Sequence, residues 1–121
     1  MISITLLTMP LSTNQLYRHS GGPNGRKRLS AKGIEEKRVI AWEAHSLHRG
    51  VPMEGDLIVD MTMYWPNKRN HDVDNVKGYI DSLSGILWED DSLILDLNLK
   101  KRIDEENPRV EIKVYAFKET I

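Results

Sequence analysis

Ile2, Ile4 and Leu6 alternate with Ser3 and Thr5, the period-two pattern of a strand, and Pro10 closes it. A longer alternating run, Leu57, Val59, Met61, Met63 and Trp65, predicts a second strand, broken by Pro66-Asn67. Leu93, Leu95, Leu97 and Leu99 predict a third, and Val110, Ile112, Val114 and Ala116 a fourth. The polar stretch Asp104-Glu105-Glu106-Asn107 predicts that these last two strands form a hairpin. Val76, Ile80 and Leu83 recur at helical spacing, so a helix is expected from about Asn75 to Ser84, with Asp72, Asp74 and Asn75 as cap candidates and Gly85 at its end. A second helix is expected from a Ser30 cap to about His48, before Gly50 and Pro52. Its apolar residues, Ile34, Ala41 and Trp42, define no clear packing face. Pro10 to Arg28 carries Gly-Gly-Pro-Asn-Gly and Arg-Lys-Arg, the chemistry of a long loop, and long loops are often functional. The expected order is β-α-β-α-β-β, an α/β (α+β) domain over residues 1–121 with a mixed sheet and a C-terminal hairpin.

Composition fits that reading. Hydrophobic residues make up 40% and charged residues 29%, enough apolar material for a core and too much for a disordered chain. No apolar run approaches the ~18 residues of a membrane span, and Met1 to Pro10 lacks the features of a signal peptide. Cysteine is absent, which excludes a disulfide scaffold, a cysteine nucleophile and a thiolate zinc site, and fits a cytoplasmic location. Net charge is only -1, but it is unevenly placed. Leu16 to Arg49 holds eight basic residues against three acids, which leaves -6 for the rest of the chain. A basic segment beside an acidic cluster suits a polyanion-binding surface next to a cation site, and equally an ordinary mixed surface.

The strongest chemical feature is His71-Asp72-Val73-Asp74-Asn75. Residues two apart in extended chain project to one side, so Asp72 and Asp74 can address one cation. Oxygen ligands suit magnesium or manganese; the competing reading is helix capping. Glu89-Asp90-Asp91 forms a second acidic cluster. The intervening helix is ~15 Å long and the following seven residues can span more than ~20 Å, so the chain can bring Asp90 or Asp91 back to the helix start. Three carboxylates around a divalent ion make a phosphoryl-transfer site; a solvated turn is the alternative. Lys77, three residues after Asp74, is placed either to stabilise charge on phosphorus or to form a salt bridge. There is no G-x-x-x-x-G-K-[ST] loop, G-x-S-x-G elbow or H-E-x-x-H motif.

Taken in order, these pieces resemble the RusA family of Holliday-junction resolvases over nearly the whole chain. The resemblance is carried by Met9-Pro10-Leu11-Ser12-Thr13-Asn14-Gln15-Leu16-Tyr17-Arg18-His19, Leu29-Ser30-Ala31-Lys32-Gly33, Asp72-Val73-Asp74-Asn75, Asp81-Ser82-Leu83 and Trp88-Glu89-Asp90-Asp91-Ser92. It implies that Asp72, Asp74 and Asp91 are catalytic, metal-binding acids. It also implies a homodimer that binds four-way DNA junctions and nicks two opposing strands in a magnesium-dependent reaction, with manganese as a substitute, leaving 5′-phosphate products. One departure stands out. The family places its catalytic lysine four residues after the second aspartate, where this chain has Gly78, and Lys77 stands one earlier. Lys77 is the expected replacement. Arg18, Arg26, Lys27, Arg28, Lys68 and Arg69 are expected DNA-binding residues, since phosphates demand accessible cations, and Asn14 and Tyr17 of the family-like loop are expected to join them. The alternative is a branched-DNA-binding module of the same fold with impaired cleavage.

Overall fold

In the computed structural model, residues 1–10, 17–19, 27–29, 31–67 and 76–117 are described. The strands are β1 (Ile2–Leu6), β2 (Tyr17–His19), β3 (Lys27–Leu29), β4 (Leu57–Trp65), β5 (Ile94–Ile103) and β6 (Arg109–Ala116). The helices are α1 (Ala31–Leu47) and α2 (Val76–Leu83), and a single 3-10 turn, Asp91–Leu93, leads into β5. The expected mixed sheet is present, with strand order β1-β6-β4-β5. β6 runs antiparallel to both β1 and β4, whereas β4 and β5, joined through α2, are parallel.

The alternation read from the sequence is the core pattern. Leu57, Val59, Met61, Met63 and Trp65 of β4 are buried, as are Val110, Ile112 and Val114 of β6 and Ile2, Ile4 and Leu6 of β1. These residues share one core with Ile40 and Ala44 of α1 and with Val76, Tyr79 and Leu83 of α2. The opposite sheet face is polar: Asn98 of β5 donates to Asp60 of β4 at 2.7 Å, and the Arg109 guanidinium lies 3.8 Å above the Tyr64 ring. Packing of α1 turns on Gly33, Ile40 and Ala44, which are buried, while Ile34 and Trp42 are exposed, Trp42 by 73%.

Two expectations need correction. The C-terminal hairpin does not form: β5 and β6 are consecutive in sequence but lie on opposite sides of β4. The reason is burial. β6 has a fully apolar inner row and takes an interior place in the sheet, whereas β5 carries Asp96, Asn98, Lys100, Lys101 and Arg102 and is mostly exposed. Charged residues on an edge strand also discourage further pairing. The second correction concerns Pro10 to Arg28, read as loop throughout. Tyr17–His19 and Lys27–Leu29 pair as an antiparallel ribbon, with Arg18 opposite Arg28 and His19 opposite Lys27. Three-residue strands are too short to show a period. The Ser30 cap and the cap candidates Asp72, Asp74 and Asn75 lie outside the described residues.

Where β1 ends, the chain is anchored to both helices. Glu43 of α1 accepts from the Leu7 and Thr8 backbone N–H groups at 2.7 and 3.3 Å. The Tyr79 hydroxyl of α2 donates to the Thr8 carbonyl at 2.6 Å. Burial, followed by the charges of Glu43 and Glu36, pushes the Tyr79 phenol well above its ordinary range, so it remains a donor. Among the described residues no helix is long and apolar enough to cross a membrane.

Candidate active site

Helix α2 divides its residues cleanly. Val76, Gly78, Tyr79, Ser82 and Leu83 face inward, and Lys77 and Asp81, four apart on the same side, face out. The helix borders a cleft of ≈ 450 Å³ that is also lined by Asp91 and by Leu97 and Leu99 of β5. The helix side contributes Val76, Lys77, Ile80 and Asp81. The sequence predicted a role for Lys77 despite its shifted spacing. Lys77 lines the cleft, whereas Gly78 is buried.

The segment after α2 places Asp91. Gly85, at φ +83°, ends the helix in the left-handed conformation that glycine tolerates best. Two backbone bonds, from Ile86 and Leu87 N–H to the Leu83 carbonyl at 3.1 and 3.0 Å, tighten that turn. Leu87 and Trp88 then insert fully into the core. The Trp88 indole N–H donates to Asp91 Oδ1 at 2.6 Å.

The two neighbouring acids of Glu89-Asp90-Asp91 are thereby separated in role. Asp90 is exposed and caps the 3-10 turn, accepting from the Ser92 hydroxyl and, at 3.3 Å, from the Ser92 N–H. Those bonds hold its carboxyl below the usual carboxylate range. Asp91 is shifted the other way. Partial burial raises its pKa; the Trp88 hydrogen bond opposes this, and the adjoining Asp81 carboxyl, within hydrogen-bonding reach, raises it further, as does the charge of Asp90. Asp81 in turn lies 3.8 Å from Lys37 Nζ of α1, a partly exposed pair that adds little to stability.

The donor set suits a hard divalent cation. Carboxylate oxygens are the ligands such ions take, and two carboxyls brought together in a cleft, one with its charge disfavoured, gain from a positive ion between them. Among the described residues no group of three or more metal-ligating side chains forms. Asp72 and Asp74, the other expected ligands, lie outside the described residues, as do Asn14, Arg26, Lys68 and Arg69. Tyr17, Arg18, Lys27 and Arg28 belong to the β2–β3 ribbon. Two residues of the site had no role in the reading of the sequence: Asp81 and Trp88 entered it only as parts of family motifs. The i, i+4 spacing of Lys77 and Asp81 was the available signal for Asp81. Nothing local announces that a buried tryptophan donates to an acid three residues later.

Comparison with known proteins adds two findings. A family model described as endodeoxyribonuclease RusA matches residues 9–115. A crossover junction endodeoxyribonuclease RusA of Aquifex aeolicus (strain VF5) is 28% identical over 126 residues, spanning 96% of this chain and 92% of the relative.

Proposed function

Because the chain belongs to the RusA endodeoxyribonuclease family, a family of nuclease hydrolases, we propose that it resolves four-way DNA junctions by magnesium-dependent nicking of two opposing strands. The observation that carries the chemistry is the cleft where Asp91, Asp81 and Lys77 meet. Asp72 and Asp74 precede its first lining residue, Val76, by only four and two positions in sequence. In this reading Asp72, Asp74 and Asp91 hold the cation, and manganese substitutes for magnesium. When bound, the cation lowers the pKa of water and offsets phosphate charge. Water adds to phosphorus, the bond to the 3′ oxygen breaks, and that oxygen leaves with a proton as a hydroxyl. The products carry a 5′-phosphate. Lys77 meets negative charge as it develops on the phosphoryl oxygens, the kind of interaction that accelerates a reaction because it strengthens in the transition state.

DNA binding falls to the basic segment. The β2–β3 register sets Arg18 opposite Arg28 and His19 opposite Lys27. The surplus of Lys and Arg in this segment is what a polyanion requires. Asn14, Tyr17, Arg26, Lys68 and Arg69 complete the proposed DNA-binding set. Paired nicking needs two sites, which a homodimer supplies, and DNA in the cytoplasm is the substrate. A module that binds without cutting is the second reading; its motive was the displaced lysine, and the placement of Lys77 in the cleft weakens it.

The experiment is incubation of purified protein with a synthetic four-way junction, with and without magnesium or manganese. Metal-dependent nicking at opposed positions is expected. Binding without nicking in either metal would leave the binding module as the function.

A further inference from the structure

Trp88 is fully buried, and its backbone is tied on both flanks. The Gly85 N–H donates to the Trp88 carbonyl at 2.6 Å. Its neighbours clamp Met53: the Met53 N–H donates to the Leu87 carbonyl at 3.0 Å, and the Glu89 N–H donates to the Met53 carbonyl at 3.1 Å. The ring cannot swing without opening the core. Its one polar atom, Nε1, donates to Asp91 Oδ1 at 2.6 Å. A buried indole N–H left without an acceptor is costly, so this bond is held strongly.

The consequence falls on Asp91. That residue sits on a 3-10 turn at the surface, where an aspartate would ordinarily sample several rotamers. The bond from a fixed ring selects one of them and engages Oδ1. Oδ2 takes no part in that bond. Core packing, at one remove, sets the direction of a carboxylate that lines the cleft.

We propose that Trp88 is a positioning residue: its indole N–H pins Oδ1 of Asp91 and thereby presents Oδ2 to the catalytic cation. The inference rests on the metal-dependent reading above and adds the group that orients one of its ligands. Hydrogen-bond partners of metal ligands generally act this way, and losing one commonly weakens metal affinity about tenfold or more.

Two measurements test it. In protein labelled with ¹⁵N-tryptophan, the three tryptophans give three indole N–H signals, and Trp88→Phe identifies the relevant one by its loss. Magnesium titrated into wild-type protein should move the Trp88 signal with the same half-saturation that junction cleavage shows. Trp88→Phe, which keeps the aromatic bulk and removes the donor, should raise the half-saturating magnesium concentration about tenfold and leave junction affinity unchanged. A purely structural tryptophan would lower the melting temperature, leave the magnesium curve in place and show no response of its indole signal; that result overturns the proposal. If Trp88→Phe does not fold, Asp91→Asn identifies the signal by displacing it, and the wild-type titration decides alone. A wild-type protein that needs magnesium but whose Trp88 signal ignores it overturns the positioning role and leaves the function standing. A wild-type protein that cuts junctions without any divalent ion overturns both.

Discussion

Asp81 and Asp91 come from different elements, α2 and the turn before β5, and their carboxyl groups meet within hydrogen-bonding reach in one cleft. A second carboxyl so placed makes ionisation of Asp91 harder. Asp91 has the raised pKa, from burial first and from Asp81 next, and the Trp88 bond only partly offsets this. A cation between them would offset that cost, as the proposed function requires.

Without metal, the stability associated with Asp91 is fully present below its ordinary pKa of about 4 and is lost as pH rises through the raised folded value. Asp91→Asn keeps an acceptor for Trp88 and removes the charge. The melting temperature of wild type should therefore fall relative to Asp91→Asn as pH is raised from about 4 to about 7 in chelator. Magnesium should close that gap. A difference that does not change with pH would show that the carboxylate suffers no penalty for its place.

If the proposed function holds, Asp72→Asn, Asp74→Asn and Asp91→Asn should each abolish cleavage while junction binding stays intact or strengthens, since each would remove a proposed metal ligand and a charge that repels phosphates. Gel-shift and single-turnover cleavage assays on the same preparations check this. Asp90→Asn should cut normally, because Asp90 caps the Ser92 turn at the surface. Loss of cleavage in Asp90→Asn with wild-type cleavage in Asp91→Asn would exchange their roles.

Lys77→Ala should slow single-turnover cleavage about a hundredfold, roughly 3 kcal/mol, without loss of junction binding. Moving the lysine by the double change Lys77→Ala, Gly78→Lys should not restore activity, because position 78 faces the core. A lysine there would be buried without a partner and should lower the melting temperature markedly. A double variant that cuts as fast as wild type would show that the helix accepts the lysine in either register.

Replacing Arg26, Lys27 and Arg28 together by alanine should weaken binding to junctions of any sequence. The slope of log affinity against log salt should become shallower by ~0.9 for every phosphate that these side chains neutralise in the wild-type complex. An unchanged slope would make this segment ordinary surface.

The sequence by itself determined the faces of the elements. β1, β4 and β6 bury the alternating residues that their period-two runs single out, and α2 falls where Val76 and Leu83 put it, because side-chain direction along a strand or helix is a local property. It also placed the chain in its family and singled out the candidate acids and lysine, because motif order and spacing are one-dimensional. The tertiary structure decided which strands are neighbours. Asp104 to Asn107 is good turn chemistry, yet β5 and β6 part around β4, because the apolar row of β6 needs an interior position and the charged β5 tolerates an edge. The same distinction runs through the cleft. Asp90 and Asp91 are adjacent and chemically identical in sequence, and only the Trp88 ring, fixed by a core assembled from distant strands, makes one of them a cap and the other a candidate ligand.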